Sequence, residues 1–211
     1  MEENTKATRP PYQLISFVMD NSAACARETL AAMMSGFRRF AERQAQNGAL
    51  EWELICYDTF ECAPVKTFAT SEIAPVFSGR MPLLGRATRT CADRLLARAA
   101  ELREQGYAVH RPFLFLLTDG FTLDDVGEIA ALLDAREREG ALVYLPFRLS
   151  SQLHGERMQL FDRVKHMIEI CEGHTDDFFA FVERMISLRA ELPFDQPMKF
   201  SKTDFEGWAL L

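Results

Sequence analysis

The sequence predicts an α/β fold: a doubly wound, mostly parallel six-stranded sheet with helices on both faces and one antiparallel edge strand. Two short, mainly apolar runs, 14–19 and 113–117, lead to Asp20 and to Thr118-Asp119. Runs without alternation are typical of strands buried on both faces. Three amphipathic segments also end at a glycine that precedes a strand, at Gly48, Gly106 and Gly140. This alternation of helix and strand favours a sheet with right-handed crossovers.

The strands are predicted from short apolar runs bounded by turn residues. The run 65–69 follows a turn that ends at Pro64, so we expect it to pair with the preceding strand as a short antiparallel edge. In chain order, strands are predicted at 14–19, 51–57, 65–69, 113–117, 141–147 and 167–170.

The helices are predicted from apolar residues that recur every three or four positions. In the third helix, Thr122 and Asp125 resemble a capping box, which places its start near Leu123. Its buried face is expected to hold Val126, Ile129, Ala130 and Leu133. In chain order, helices are predicted at 27–46, 87–105, 123–139, 151–165 and 175–190.

Length and composition indicate one domain with two tails. A chain of 211 residues that is 48% hydrophobic suits a single sizeable core, predicted at 12–191. The segment 1–11 is polar and is expected to be an N-terminal tail. The segment 192–211 carries Phe200, Phe205 and Trp208. So many aromatics are unlike a disordered end, and we expect this tail to pack on the domain or on a partner.

Charge and hydropathy exclude several classes of protein. A net charge of -7 argues against binding to the nucleic-acid backbone. No stretch reaches the roughly 18 apolar residues of a membrane span, and no secretory signal begins the chain. The five cysteines are irregularly spaced, which is typical of reduced thiols. These features predict a cytoplasmic protein without membrane or nucleic-acid partners and leave its oligomeric state open.

The main functional signal is a pair of aspartates, Asp20 and Asp119, at the ends of two predicted strands. In a parallel sheet both side chains would meet at the carboxyl-end rim, where α/β proteins bind ligands. Two facing carboxylates repel each other unless a cation, a proton or hydrogen-bond donors lie between them. With the Ser22 hydroxyl they form an oxygen set that suits Mg²⁺ or Mn²⁺. A purely structural role, in which Asp20 and Ser22 cap a helix and Asp119 a turn, is the alternative.

Other catalytic and nucleotide-binding motifs are absent from the sequence. No glycine-rich phosphate loop follows a predicted strand, so we expect no nucleotide cofactor. No Gly-x-Ser-x-Gly elbow is present, and no cysteine lies in an activating context. The sequence therefore predicts that the protein is not an enzyme.

The chain resembles von Willebrand factor type A (vWA) domains, and more closely the bacterial tellurium-resistance type. The first matching motif is Val18-Met-Asp-Asn-Ser-Ala-Ala24 and the last is Phe115-Leu-Leu-Thr-Asp-Gly120. Between them, Gly79-Arg-Met-Pro-Leu-Leu-Gly85 is similar to the family's Gly-Gly-Thr-Pro-Leu-Gly segment. The resemblance covers residues 12–190 in the family's order.

The resemblance implies a metal-ion-dependent adhesion site in which Asp20, Ser22 and Asp119 match metal ligands. Two further family positions are substituted: a serine corresponds to Ala24 and a threonine to Met81. Both changes remove an oxygen ligand, and a thioether is too soft for Mg²⁺. The sequence thus favours a degenerate, metal-free site over a weak Mg²⁺ or Mn²⁺ site.

The resemblance also implies binding of a protein partner through the loops 20–26, 71–86 and 119–124. Tellurium-resistance vWA proteins are associated with a kinase and a phosphatase in bacterial stress or phosphorylation signalling, which makes such a protein, encoded nearby, the expected partner. Two alternatives stay open: a metal-assisted phosphohydrolase that uses Asp20 and Asp119, and a structural subunit of a larger assembly. The predicted contact residues are Phe77, Arg80, Met81 and Phe121.

Overall fold

The computed structural model of the protein describes residues 10–22, 25–57, 62–69, 72–73, 82–120, 122–149, 167–194 and 196–210. Within these residues one sheet has the strand order β3-β2-β1-β4-β5-β6-β7. Its strands are β1 (Gln13–Asp20), β2 (Leu50–Tyr57), β3 (Cys62–Lys66), β4 (Phe113–Thr118), β5 (Val143–Arg148), β6 (Ile168–Ile170) and β7 (Ala209–Leu210). The helices are α1 (Arg27–Gln44), α2 (Leu84–Glu104), α3 (Gly127–Arg138) and α4 (Thr175–Glu191).

The central strands confirm the predicted α/β fold with a parallel sheet. Strands β2, β1, β4, β5 and β6 run parallel, while β3 and β7 are antiparallel edges. The predicted count of six strands is wrong, because the C-terminal segment adds β7 beside β6. Strand β3 also begins earlier than expected and contains Pro64. An edge strand tolerates proline because one of its sides needs no N–H donor.

The two faces of the sheet carry cores of different composition. Helices α1 and α4 cover the face that holds Phe17, Phe115 and Phe147, and this core is rich in aromatic rings. Helices α2 and α3 cover the opposite face with leucine, alanine and valine side chains. On the aromatic side α1 and α4 approach closely at Gly36, where an added Cβ would lie 2.0 Å from the Phe179 ring. Both faces of β1 and β4 are therefore buried, as the two mainly apolar runs predicted.

Helix α3 begins at Gly127, four residues later than predicted, and its buried residues still include Ile129, Ala130 and Leu133. The residues expected to start it cap another helix instead. The Asp124 carboxylate accepts hydrogen bonds from the backbone N–H groups of Gly85 (3.1 Å) and Arg86 (2.8 Å). These groups lie in the first turn of α2, where helix N–H groups lack partners within the helix. Asp124 thus stabilises the start of α2 from a distance. Of the expected capping box, Thr122 also accepts a hydrogen bond at the start of α2, from the Leu84 N–H (3.0 Å), whereas Asp125 accepts one from the Gly127 N–H at the start of α3 (2.7 Å).

The C-terminal segment packs against the sheet and α4. The Trp208 ring stacks on Phe147, and its Nε1 donates a hydrogen bond to the Asp204 carbonyl oxygen (3.0 Å). Arg189, in the last turn of α4, is 3% exposed. Its guanidinium donates hydrogen bonds to the carbonyl oxygens of Pro193, Phe194 and Gln196. One buried arginine thereby holds the chain as it leaves α4.

Two further expectations concern segments away from this core. The predicted helix 151–165 lies outside the described residues. Among the helices that the structure describes, none has the length and hydropathy needed to span a bilayer.

Candidate functional site

The predicted aspartates lie at the point where the winding of the sheet reverses. From β1 the chain continues to β2 on one side, and from β4 it continues to β5 on the other. Strands β1 and β4 are direct neighbours, with Met19 opposite Leu117. Asp20 ends β1 and Asp119 follows the last residue of β4. In open α/β sheets the crevice at such a switch point is the usual place for a ligand.

The first motif folds into a tight turn around the Asp20 carboxylate. Asp20 and Ser22 are both fully buried. The Ser22 backbone N–H donates a hydrogen bond to Asp20 Oδ1 at 2.8 Å. Asp20 Oδ2 is also buried, and the side chains of Ser22 and Asp119 are the polar groups next to the carboxyl. The Ser22 backbone thus fixes one oxygen of the Asp20 side chain.

The second motif brings Asp119 to the same point. The Gly120 backbone N–H donates to Thr118 Oγ1 at 3.0 Å, and Gly120 has a φ of 90° that favours glycine. Asp119 is only 2% exposed and lies within hydrogen-bonding reach of the Asp20 carboxyl. The turn after β4 thus places a second carboxylate against the first.

Burial and mutual repulsion dominate the chemistry of this pair. Burial, followed by the charge of Asp119, raises the pKa of Asp20 to about 7, although the hydrogen bond from Ser22 opposes the rise. A proton on one carboxyl can bridge the two groups and remove the repulsion, so the protons belong to the pair. Near neutral pH the Asp20 carboxyl is therefore protonated in part of the molecules.

Cys25 and Tyr57 lie close to both carboxylates of the pair. Burial raises the pKa of the Cys25 thiol to about 12, and Asp20 and Asp119 add to the rise. Burial and Asp20 likewise raise the pKa of Tyr57 well above its usual value. Neither group supplies a positive charge or an ionised ligand at neutral pH. Sequence reasoning missed both residues; Tyr57 could have been found as the last residue of the strand beside β1.

The described residues supply part of the oxygen set that a divalent cation needs. Mg²⁺ requires near-octahedral oxygen coordination, and the described residues at this point offer the carboxylates of Asp20 and Asp119 and the Ser22 hydroxyl. In the part of the chain that the structure describes, no group of three His, Cys, Asp or Glu side chains is arranged to hold a metal ion. The substituted position 24 and the residues predicted to contact a partner (Phe77, Arg80, Met81 and Phe121) lie outside the described residues.

Comparisons with known proteins find the same fold in solved structures. No protein-family model and no curated protein sequence matches the chain. The VWA domain of SpRpn10 superposes with a TM-score of 0.56 at 8% identity, over 90% of this chain and 100% of that one. Proximal thread matrix protein 1 of the mussel byssus superposes with a TM-score of 0.57 at 10% identity, over 86% of this chain and 49% of that one.

A third solved structure with this fold holds a metal. It is the manganese-loaded TRAP protein of Plasmodium vivax, with a TM-score of 0.50 at 10% identity, over 73% of this chain and 62% of that one. Identities this low show the fold alone. The chain has the vWA fold that its first and last motifs predicted.

Proposed function

We propose that this protein is a non-enzymatic interaction module that binds a protein partner through the carboxyl-end rim of its sheet. The observation that supports the proposal is the buried pair Asp20 and Asp119 at the switch point of a vWA fold. Two adjacent buried carboxylates destabilise a fold, and such groups persist where function requires them. A partner that donates hydrogen bonds or a positive charge to the pair would relieve the repulsion.

The proposal takes three loops as the contact surface. They are the loops 20–26, 71–86 and 119–124, with Phe77, Arg80, Met81 and Phe121 as contact residues. Mg²⁺ and Mn²⁺ are dispensable in this mode, because the partner and the shared proton take the place of a bound cation. A bacterial stress or phosphorylation pathway, with a kinase or phosphatase as partner, is the setting that the tellurium-resistance resemblance favours.

The phosphohydrolase alternative requires a metal centre with further ligands. The described residues offer two carboxylates and the Ser22 hydroxyl, without a third acidic, histidine or cysteine ligand. An Mg²⁺-dependent hydrolysis of p-nitrophenyl phosphate that is lost in Asp119→Ala would favour this alternative over an interaction module. We expect no turnover in either protein.

The proposal is tested by affinity capture from the native host, with Mg²⁺ in one arm and EDTA in the other. The tagged proteins are the wild type, Asp119→Asn, Phe121→Ala and a control, Arg38→Ala, whose exposed side chain lies on α1 away from the rim. We expect one partner to be retained by the wild type and the control in both arms, and to be lost with Phe121→Ala.

The variants Phe121→Ala and Asp119→Asn test separately how the shape and the charge of the rim contribute to capture. Asp119→Asn keeps the size of the side chain and should weaken capture, because the pair then carries less negative charge. A partner that all four proteins retain equally would show that the rim is not the binding surface. Retention in Mg²⁺ alone would contradict the metal-free mode and restore Asp20, Ser22 and Asp119 as metal ligands.

A further inference from the structure

A cavity lies at the end of the sheet opposite the aspartate pair, at the amino ends of β4 and β5. It encloses about 300 Å³, which is the lower end of the range for small-molecule pockets. Phe113 and Val143, the first residues of the two strands, form its floor. Six residues of β4 separate it from the aspartate pair, which is roughly 20 Å at the usual rise per residue. A ligand in this cavity would not reach the rim discussed above.

Three arginines line this cavity, which we call the arginine pocket. They are Arg103 from the end of α2, Arg111 from the segment before β4, and Arg189 from α4. Its other described lining residues are uncharged: Val109, Phe113, Gly140, Val143, Phe194, Gln196, Pro197 and Met198. A concentration of positive charge is unusual in a chain whose net charge is -7. The described lining therefore combines a positive potential with apolar walls.

The three guanidinium groups differ in how many hydrogen bonds they donate to other groups of the protein. Arg189 is buried and donates to three backbone carbonyls, so it contributes mainly a fixed charge. Arg103 makes one long hydrogen bond, from Nη2 to the Val109 carbonyl oxygen at 3.5 Å. Arg111 is half-buried, and within the described part of the chain it forms neither a hydrogen bond nor an ion pair. Arg103 and Arg111 thus keep donors available for a ligand.

The backbone holds Arg111 at the wall of the pocket. A Cβ built on Gly140 would lie 2.8 Å from Arg111 Nη2, so the guanidinium packs directly against this glycine. Gly140 has a φ of 75°, which also favours the absence of a side chain. A planar guanidinium in a fixed position matches the geometry of a carboxylate or phosphate, which accept two parallel hydrogen bonds.

We propose that the arginine pocket binds a small organic anion, a carboxylate or phosphate attached to a compact apolar group. Arg111 and Arg103 donate hydrogen bonds to the anionic oxygens, and the charge of Arg189 adds attraction. The apolar group packs against Phe113, Val143 and Met198. This site is independent of the proposed partner surface.

A structural role for Arg111 predicts a different outcome. The carboxyl ends of α2 and α3 are both near the pocket and carry partial negative charge, which a cation stabilises. If Arg111 did nothing else, its removal would lower the stability of the fold and leave the affinity for anions unchanged.

The test is calorimetric titration of the full-length protein with phenyl phosphate, benzoate and inorganic phosphate at constant ionic strength. We expect saturable binding of at least one organic anion, and tighter binding of phenyl phosphate than of inorganic phosphate because of the apolar walls. Arg111→Ala should weaken the binding by about tenfold or more, and Arg111→Lys by less, since lysine keeps the charge and loses the planar geometry. The control Arg38→Ala should bind as the wild type does.

Two outcomes would overturn the proposal. One is the absence of saturable heat with all three probes. The other is equal affinity in Arg111→Ala and Arg38→Ala, with both variants folded by circular dichroism.

Discussion

The two ends of strand β4 hold charge in opposite ways. At the carboxyl end, Asp20 and Asp119 are buried against each other, and the Ser22 backbone N–H donates to Asp20. At the amino end, the buried Arg189 donates to three carbonyl oxygens and fixes the chain that follows α4. A buried charge with several hydrogen bonds supports a fold, whereas two like charges in contact oppose it. Arg189 at the amino end of β4 therefore stabilises the fold, whereas the aspartate pair at the carboxyl end destabilises it.

The largest effect is expected from Arg189→Ala. The substitution leaves the carbonyl oxygens of Pro193, Phe194 and Gln196 without their donor and opens a cavity beside α4. Hydrogen bonds from a charged donor contribute about 1.5–3 kcal/mol each, and they share one side chain here, so we expect a loss of about 3 kcal/mol. Urea denaturation measures it.

A matched control identifies the cause of this loss. Arg184 lies on the same helix but is half-exposed, where its ion pair with Asp204 (2.7 Å) is screened by solvent. Exposed pairs contribute at most about 1 kcal/mol, so Arg184→Ala should cost far less than Arg189→Ala. Equal losses in the two variants would mean that burial of Arg189 has no special role.

The second effect is expected from Asp20→Asn, which should stabilise the protein above neutral pH. Because folding raises the pKa of Asp20 from 3.8 to about 7, the folded state binds the proton more tightly than the unfolded chain. The free energy of unfolding must then fall as the pH rises from about 4 to about 7. Each pKa unit corresponds to about 1.4 kcal/mol, which makes about 4 kcal/mol the upper bound of this fall.

Asparagine keeps the oxygen that accepts the Ser22 N–H and removes the charge. We expect Asp20→Asn to be more stable than the wild type by about 2 kcal/mol at pH 8, and about equally stable at pH 4, where the Asp20 carboxyl of the folded wild type is protonated. Urea denaturation at both pH values measures the difference. A variant that is less stable at pH 8 would show that the ionised pair has a stabilising partner.

Sequence reasoning located Asp20 and Asp119 because each stands at the end of a short, mainly apolar run, the pattern of a strand that is buried on both faces. Parallel pairing then brings strand ends together without further information. The contacts of Arg189 and Asp124 were not predictable in this way. Both residues lie on or near amphipathic helices, where charged side chains usually face solvent, and their partners depend on how separate elements pack. Strand β7 escaped prediction because two paired residues leave no periodic pattern.

The smallest effect is expected from alanine substitutions at two glycines that follow helices, Gly140 and Gly106. Both have positive φ, 75° and 84°, so alanine at either position costs about 1 kcal/mol in backbone strain. They differ in their surroundings: an added Cβ at Gly106 meets nothing within 4 Å, whereas at Gly140 it lies 2.8 Å from Arg111 Nη2. Gly140→Ala should therefore lower the free energy of unfolding by about 1 kcal/mol more than Gly106→Ala, because the added side chain is crowded.

Because the displaced guanidinium belongs to the arginine pocket, phenyl phosphate should stabilise Gly106→Ala and fail to stabilise Gly140→Ala in thermal unfolding. Equal responses of the two variants to phenyl phosphate would show that Arg111 does not belong to the binding site, whatever the stabilities of the two variants.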